Sequence, residues 1–278
     1  MILELGPYRI DCTRRTAVMG ILNVSLDSPV THSVVAPGAA RDRALALVEA
    51  GAEIIDVGAH STRTGAVQLS AQEEIERVCP AIEAIAAAGV PVSVDTWSAE
   101  VGRAALDAGA VLLNDVSGLG DPAMLALAAE RHAAVCVMHM RGAPQRHSEV
   151  DQTYADVNAE VLALLDDRAH ALEVAGAGQV WLDPGFGFGK SAADNARMLA
   201  GLPQVVARGR PVLVSASRKG FLAELMGQPY SQDAPRLLEA TLAFNTLAAW
   251  LGAHVVRVHD VAEVTSALRV VNAVRASA

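Results

Sequence analysis

Gly89-Val-Pro-Val-Ser-Val-Asp-Thr-Trp-Ser-Ala-Glu-Val-Gly-Arg-Ala-Ala-Leu-Asp-Ala-Gly-Ala-Val-Leu-Leu-Asn114 is the stretch whose reading decides the fold. A short apolar run ends in Asp95, a segment of helical periodicity follows, Gly109 stops it, and a second apolar run ends in Asn114. The same unit repeats outward in both directions. Apolar runs lie at Ala17 to Val24, Ile54 to Ala59, Val90 to Val94, Val111 to Leu113, Ala133 to Met138, Val180 to Leu182, Pro211 to Val214 and His254 to Val258. Their exits carry Asn23, Asp95, Asn114, His139, Asp183, Ser215, Arg257 and His259.

Eight evenly spaced β-strand and α-helix units in 278 residues read as one (β/α)₈ TIM barrel spanning residues 1–278. A doubly wound open sheet also alternates strand and helix, but functional side chains at seven of the eight exits favour closure, because a barrel gathers those exits on one rim. Residues 1–16 read as an N-terminal β-hairpin, with Leu3-Glu-Leu and Tyr8-Arg-Ile flanking Gly6-Pro7, placed to plug the barrel bottom. Helix starts are marked by Ser70 with Glu73, a capping box, and by Asp121-Pro122, while Gly51, Gly89 and Gly109 mark helix ends.

Composition excludes several classes. A formal charge of -9 with 22 scattered basic residues does not make a nucleic-acid footprint. No stretch approaches the ~18 uninterrupted apolar residues of a membrane span, and the start lacks a basic segment leading into an apolar core, so a cytoplasmic protein is expected. Three cysteines, Cys12, Cys79 and Cys136, form no CxxC pattern, and the last two sit in apolar surroundings as core residues. The eight histidines include no HxxxH or HExxH pair, which argues against zinc.

The exits supply the chemistry. Asp95 and Asp183 each follow an apolar strand directly, so both carboxylates lie deep at the mouth, where a buried charge needs a partner or a ligand rich in N–H donors. Pairing with Arg or Lys, or capping of the next helix, is the bland alternative. Arg257 and His259 alternate to the same side of the last strand while Val258 packs outward, making an anion clamp. Ser217, Arg218 and Lys219 run towards a helix start, a second anion-favouring position. Gly185-Phe-Gly-Phe-Gly-Lys190-Ser resembles a P-loop but has Pro184 where the first glycine is required, so it reads as a tight loop presenting Phe186 or Phe188 to a flat ligand. Asn23 and Asp27 offer hard oxygen ligands suited to magnesium.

These motifs together resemble the dihydropteroate synthases of the pterin-binding barrel group. The matching stretches are Met19-Gly-Ile-Leu-Asn-Val, Gly51-Ala-Glu-Ile-Ile-Asp-Val-Gly, His60-Ser-Thr-Arg, Ser93-Val-Asp-Thr, Leu113-Asn-Asp-Val-Ser-Gly, Met138-His-Met-Arg-Gly, Leu182-Asp-Pro-Gly-Phe-Gly-Phe-Gly-Lys, Ser217-Arg-Lys and Arg257-Val-His-Asp, in family order. The resemblance implies that Asp95, Asn114, Asp183 and Lys219 hold a dihydropterin ring, with Met138 and Phe188 around it, and the position of Ser215 is counted among the substrate-binding residues. It implies that Asn23, Ser61, Thr62, Arg257 and His259 meet the diphosphate and Mg2+, with Asn23 the metal ligand. The implied reaction transfers the pterin methylene from diphosphate to an arylamine, 4-aminobenzoate in the family, in a homodimer. Asp27 and Arg63 are implied to pair as the loops close.

The chain departs from the family pattern on the amine side. The first loop reads Asn23-Val-Ser-Leu-Asp-Ser-Pro-Val-Thr-His-Ser instead of Asn-x-Thr-Pro-Asp-Ser-Phe-Ser-Asp-Gly-Gly; His60 and Thr64 flank Ser61-Thr-Arg63 where Glu and Pro are expected. Gly220 replaces a serine expected to bind the aminobenzoate carboxylate, and Ser215 replaces a glycine. Dihydropteroate synthase activity is the leading expectation. The alternatives are a related synthase using a different or bulkier arylamine, a pterin-binding homologue without this activity, and a corrinoid-dependent methyltransferase, for which the retained diphosphate clamp gives no reason.

Overall fold

The computed structural model describes residues 1–24, 35, 37–59, 66, 68–147, 149–231 and 235–277. A two-stranded antiparallel hairpin comes first, β1 (Ile2–Leu5) and β2 (Tyr8–Asp11), and its register pairs Leu5 with Tyr8. Only two residues therefore turn the chain, and Gly6 takes the left-handed φ of +56° that the tight turn needs.

Eight parallel strands follow: β3 (Ala17–Asn23), β4 (Ile54–Gly58), β5 (Val92–Asp95), β6 (Leu112–Asp115), β7 (Ala134–Met138), β8 (Val180–Asp183), β9 (Leu213–Val214) and β10 (Val255–Val258). They are ordered β8-β7-β6-β5-β4-β3-β10-β9, and a parallel bridge between Leu182 and Val212 joins the two ends into a closed ring. The open-sheet alternative is thereby excluded. The helices are α1 (Ala40–Glu49), α2 (Ala71–Ala86), α3 (Ala99–Asp107), α4 (Pro122–Arg131), α5 (Val157–Ala175), α6 (Ala192–Ala200), α7 (Leu202–Val206), α8 (Gly220–Leu225), α9 (Pro235–Trp250) and α10 (Val261–Ser277). Units six and seven are thus each followed by two helices rather than one.

The helix-start signals act as read. Ser70 and Glu73 form a reciprocal capping box at α2, and Asp121 caps α4 ahead of Pro122. Strand side chains alternate between two cores. Outward residues such as Ile55, Val57, Val94, Leu113, Val135 and Leu182 pack on the helices, as does Val258. Inward residues at the closed end, including Met19, Ile54, Leu112, Trp181, Leu213 and Val255, pack on Leu3, Leu5 and Ile10 of the hairpin, which plugs the barrel. Cys136 lies in that core, whereas Cys79 is only half-buried on α2, a correction to its reading as a core residue.

Candidate active site

The strand ends bring four polar side chains together inside the open end. Asp56 lies in the middle of β4, Asp95 ends β5, Asn114 lies on β6 and Asp183 ends β8; all four are at most 8% exposed. Backbone register sets this grouping, since Asp56 is opposite Ser93 and Asp95 opposite Asn114. Arg257 of β10 crosses to them. Its Nε donates to Asp56 Oδ2 at 2.5 Å and its Nη2 to Asp95 Oδ2 at 2.7 Å. Asn114 Nδ2 approaches the same Asp56 oxygen at 3.4 Å.

Pairing with arginine accounts for only half of each carboxylate. Asp56 Oδ1, Asp95 Oδ1, Asn114 Oδ1 and the Ser93 hydroxyl are buried without a hydrogen-bond partner among the described residues. Such groups are costly in a dry interior, and four on three adjacent strands define a surface built to receive donors. Burial pushes the Asp95 carboxyl up to about 7; Arg257 opposes that shift and Asp56 adds to it. Burial works against the charge of Arg257 too, but Asp56 and Asp95 outweigh it and hold the guanidinium cationic. Asp183 is raised by burial, against the pull of Lys219 and of the Gly185 N–H, which donates to its Oδ1 at 2.7 Å.

Above this polar floor lies a small apolar cluster of Val116, Met138, Met140 and Phe188, with Trp97 against it. The Lys219 ammonium sits 4.1 Å over the Phe188 ring and donates to the Phe186 carbonyl at 2.6 Å. Burial lowers Lys219 to about 7, with Asp183 opposing and Arg257 reinforcing the shift. Of the two phenylalanines between which the sequence leaves the choice, Phe188 is the one that lies in this cluster. Phe186 is fully buried in the outer core, edge-on to Phe244 at 5.0 Å.

The Ser217-Arg218-Lys219 segment divides instead of forming one anion site. Arg218 adopts φ +53° and makes a two-pronged bond to Asp260 at 2.7 and 2.8 Å, tying the exit of β9 to that of β10. The Ser217 hydroxyl accepts from the His259 backbone N–H at 3.1 Å and lies 3.0 Å from its Nδ1, which orients the imidazole. Ser215 is buried two residues earlier, directly after β9, and Asn23 stands half-buried at the end of β3. His139, an exit residue, is buried and held neutral: burial, reinforced by Lys190, lowers it to about 3. Asp27, Ser61, Thr62 and Arg63 lie outside the described residues, as do His60, Thr64 and Pro29.

Two residues of the site escaped the reading of strand exits. Asp56 is one; its signal was a carboxylate inside the apolar run Ile54-Ile-Asp-Val-Gly, where a charge has no place without a partner. Lys190 is the other, a buried ammonium at the close of the glycine-rich loop.

Residues 19–259 match the family model described as pterin binding enzyme. A dihydropteroate synthase of Escherichia coli is 42% identical over 262 residues, covering 92% of this chain and 90% of that protein. A probable bifunctional folylpolyglutamate synthase/dihydropteroate synthase of Haloferax volcanii is 47% identical, covering 94% of this chain; the chain spans 31% of that longer protein. The dihydropteroate synthase of Thermus thermophilus, solved in complex with 4-aminobenzoate, superposes with a TM-score of 0.87 at 40% identity, over 98% of this chain and 99% of that one. The barrel, the polar floor and these matches agree: the chain belongs to the pterin binding enzyme family, among the dihydropteroate synthases.

Proposed function

We propose that this transferase condenses 6-hydroxymethyl-7,8-dihydropterin diphosphate with 4-aminobenzoate in folate biosynthesis, releasing diphosphate. The observation that carries the reading is the set of unpartnered buried acceptors on Asp56, Asp95 and Asn114 beside Asp183, which matches the N–H-rich edge of a pterin. The Thermus thermophilus enzyme has been solved with 4-aminobenzoate and with 6HMPPP, which supports both substrates.

In this reading the ring lies on the floor, with Met138 and Phe188 enclosing its faces and Ser215 and Lys219 at its edge. The bond between the pterin methylene and the diphosphate oxygen breaks, its electrons leaving with the diphosphate. The amine nitrogen lone pair forms the new C–N bond, and the ammonium proton passes to solvent. Asp95 and Asp183 stabilise positive charge developing on the pterin; one carboxylate about 4 Å away contributes roughly 4 kcal/mol at an effective dielectric of 20, about a thousandfold in rate. Arg257 faces the leaving group with Nη1, which pairs with none of the described residues, and the oriented His259 does the same. The family pattern assigns Ser61 and Thr62 to the diphosphate and Asp27 with Arg63 to loop closure, and all four lie outside the described residues.

Magnesium belongs to this reading as an ion carried with the diphosphate. Among the described residues no three His, Cys, Asp or Glu side chains converge into a metal cage, and Asn23 offers one neutral oxygen at the rim. That donor set fits Mg2+, which keeps several waters and substrate oxygens. Asn23 would hold it, and when bound it neutralises charge on the diphosphate.

The protein is read as a cytoplasmic homodimer. Its three cysteines are free, as in a reducing compartment, and among the described residues no helix is long and apolar enough to cross a membrane. Leu247 and Trp250 of α9 and Val270 and Val274 of α10 are exposed apolar side chains available for pairing; light scattering tests the dimer. A different arylamine is the second reading, favoured by Gly220 in place of a carboxylate-binding hydroxyl. The test incubates the protein with the pterin diphosphate and Mg2+, with and without 4-aminobenzoate, following diphosphate release and pterin binding by calorimetry. Release dependent on 4-aminobenzoate is expected. Tight pterin binding with no such release would overturn the first reading, and release with another arylamine alone would establish the second.

A further inference from the structure

The steps above leave unused a charged side chain that is among the best buried in the protein. Lys190 is 6% exposed, and its Nζ donates to three backbone carbonyls: Gly185 at 2.9 Å, Phe188 at 3.0 Å and His139 at 3.2 Å. Three acceptors match the three N–H groups of an ammonium; an uncharged amine has only two. The acceptors belong to different loops, His139 lying just beyond β7 and Gly185 and Phe188 on the segment after β8.

The remaining bonds of that segment point the same way. Lys219 takes the Phe186 carbonyl and Tyr154 donates to the Gly189 carbonyl at 2.9 Å, while the N–H groups of Gly185 and Gly187 go to Asp183 Oδ1 and Asn195 Oδ1. Gly185 has φ +73°, and a Cβ there would run into the His139 carbonyl, so the two loops are in direct contact at the point Lys190 bridges. The segment carries two parts of the floor and wall: the Phe188 ring, and the N–H that fixes one oxygen of Asp183. An ammonium sunk among carbonyls is a costly way to hold a surface loop. It is a direct way to hold an aromatic wall and a carboxylate in one geometry.

We infer that Lys190 is a positioning residue of the pterin subsite, bridging the loops after β7 and β8 so that Phe188 and Asp183 meet the ring in register. The inference rests on the pterin reading above and deepens it. Lys190 touches no substrate atom in this arrangement; it acts through the carbonyls it gathers.

Steady-state kinetics of Lys190→Met test it, with both substrates varied. The expected result is a rise of tenfold or more in KM for the dihydropterin diphosphate, with KM for the arylamine near the parent value. A role confined to stability lowers the active fraction, and hence apparent kcat, without moving either KM. Both KM values at the parent level would therefore overturn the inference. Should Lys190→Met not fold, Tyr154→Phe, which removes only the hydroxyl bond to Gly189, is read in its place. A twofold to fivefold rise in the pterin KM supports the bridge, and an unchanged value overturns it. If the parent protein releases no diphosphate, the transferase reading fails instead, and the bridge is then judged by the same shifts in pterin Kd from calorimetry.

Discussion

The two ends of this barrel are built from the same eight strands and treat polar groups in opposite ways. In the barrel interior at the closed end Gln179 and Trp181 are matched: Gln179 donates to the Ile2 carbonyl and accepts from the Glu4 N–H and from the Trp181 indole, while the hairpin seals Leu3, Leu5, Met19 and Trp181 from water. At the open end Asp56, Ser93, Asp95 and Asn114 each keep a buried polar atom without a partner among the described residues. A matched interior stabilises the fold; an unmatched one holds binding potential in reserve for a ligand. Stability and function are thus separated along the barrel axis, as the fold permits.

The strongest attempt to break this separation is Asp95→Asn. Turnover should fall by about a thousandfold, because a carboxylate near the developing cation is lost, while the thermal midpoint moves by only a few degrees. Near-normal diphosphate release by this variant would remove the electrostatic account. Trp181→Ala is the mirror experiment. Emptying the largest fully buried side chain at the closed end should cost about 3–5 kcal/mol in a urea titration, with the pterin KM of the folded fraction unchanged. A shifted KM would mean that the two ends are coupled.

The pH profile sharpens the comparison further. Asp95, raised to about 7, must be ionised, so kcat/KM for the pterin substrate should rise with pH up to that value. Lys219, lowered to about 7, must be protonated, so kcat/KM should fall above it, and steeply, because burial lowers Lys190 to about 7 as well. The expected result is a narrow bell near pH 7, about tenfold per unit on the acid limb. A flat profile between pH 6 and 8 would contradict both assignments.

The smallest effect concerns the amine side. A Cβ on Gly220 would lie 3.7 Å from the Tyr230 ring, an ordinary contact, so Gly220→Ser should fold normally. Restoring a hydroxyl should lower KM for 4-aminobenzoate by about tenfold and leave the pterin KM alone, since a hydrogen bond to a charged group contributes about 1.5 kcal/mol at the low end of its range. No change in either KM would favour an amine without a carboxylate.

Much of this was legible beforehand. Strand exits located Asp95, Asn114, Asp183 and Arg257 because an apolar run that stops at a polar residue marks the height at which a parallel strand leaves the core. Asp56 was hidden by the same logic, since it lies within its run and not at the end. Phe186 and Phe188, two residues apart on a glycine-rich loop, look alike in sequence; left-handed turns at Gly185, Gly187 and Gly189 send one to the outer core and the other to the mouth. Arg218 and Lys219 are adjacent cations, yet the φ of +53° at Arg218 aims one at Asp260 and the other at Phe188.

Periodicity, capping residues and strand exits, all local properties of neighbouring residues, determined the barrel, its hairpin and the identity of most of the polar rim. Partner choice was decided by tertiary structure alone. Arg257 reaches Asp56 across 201 positions and Asp95 across 162, and Lys190 gathers the His139 carbonyl from 51 positions away. Closure of the ring sets such distances, and with them which charges are spent on each other and which atoms remain for a ligand.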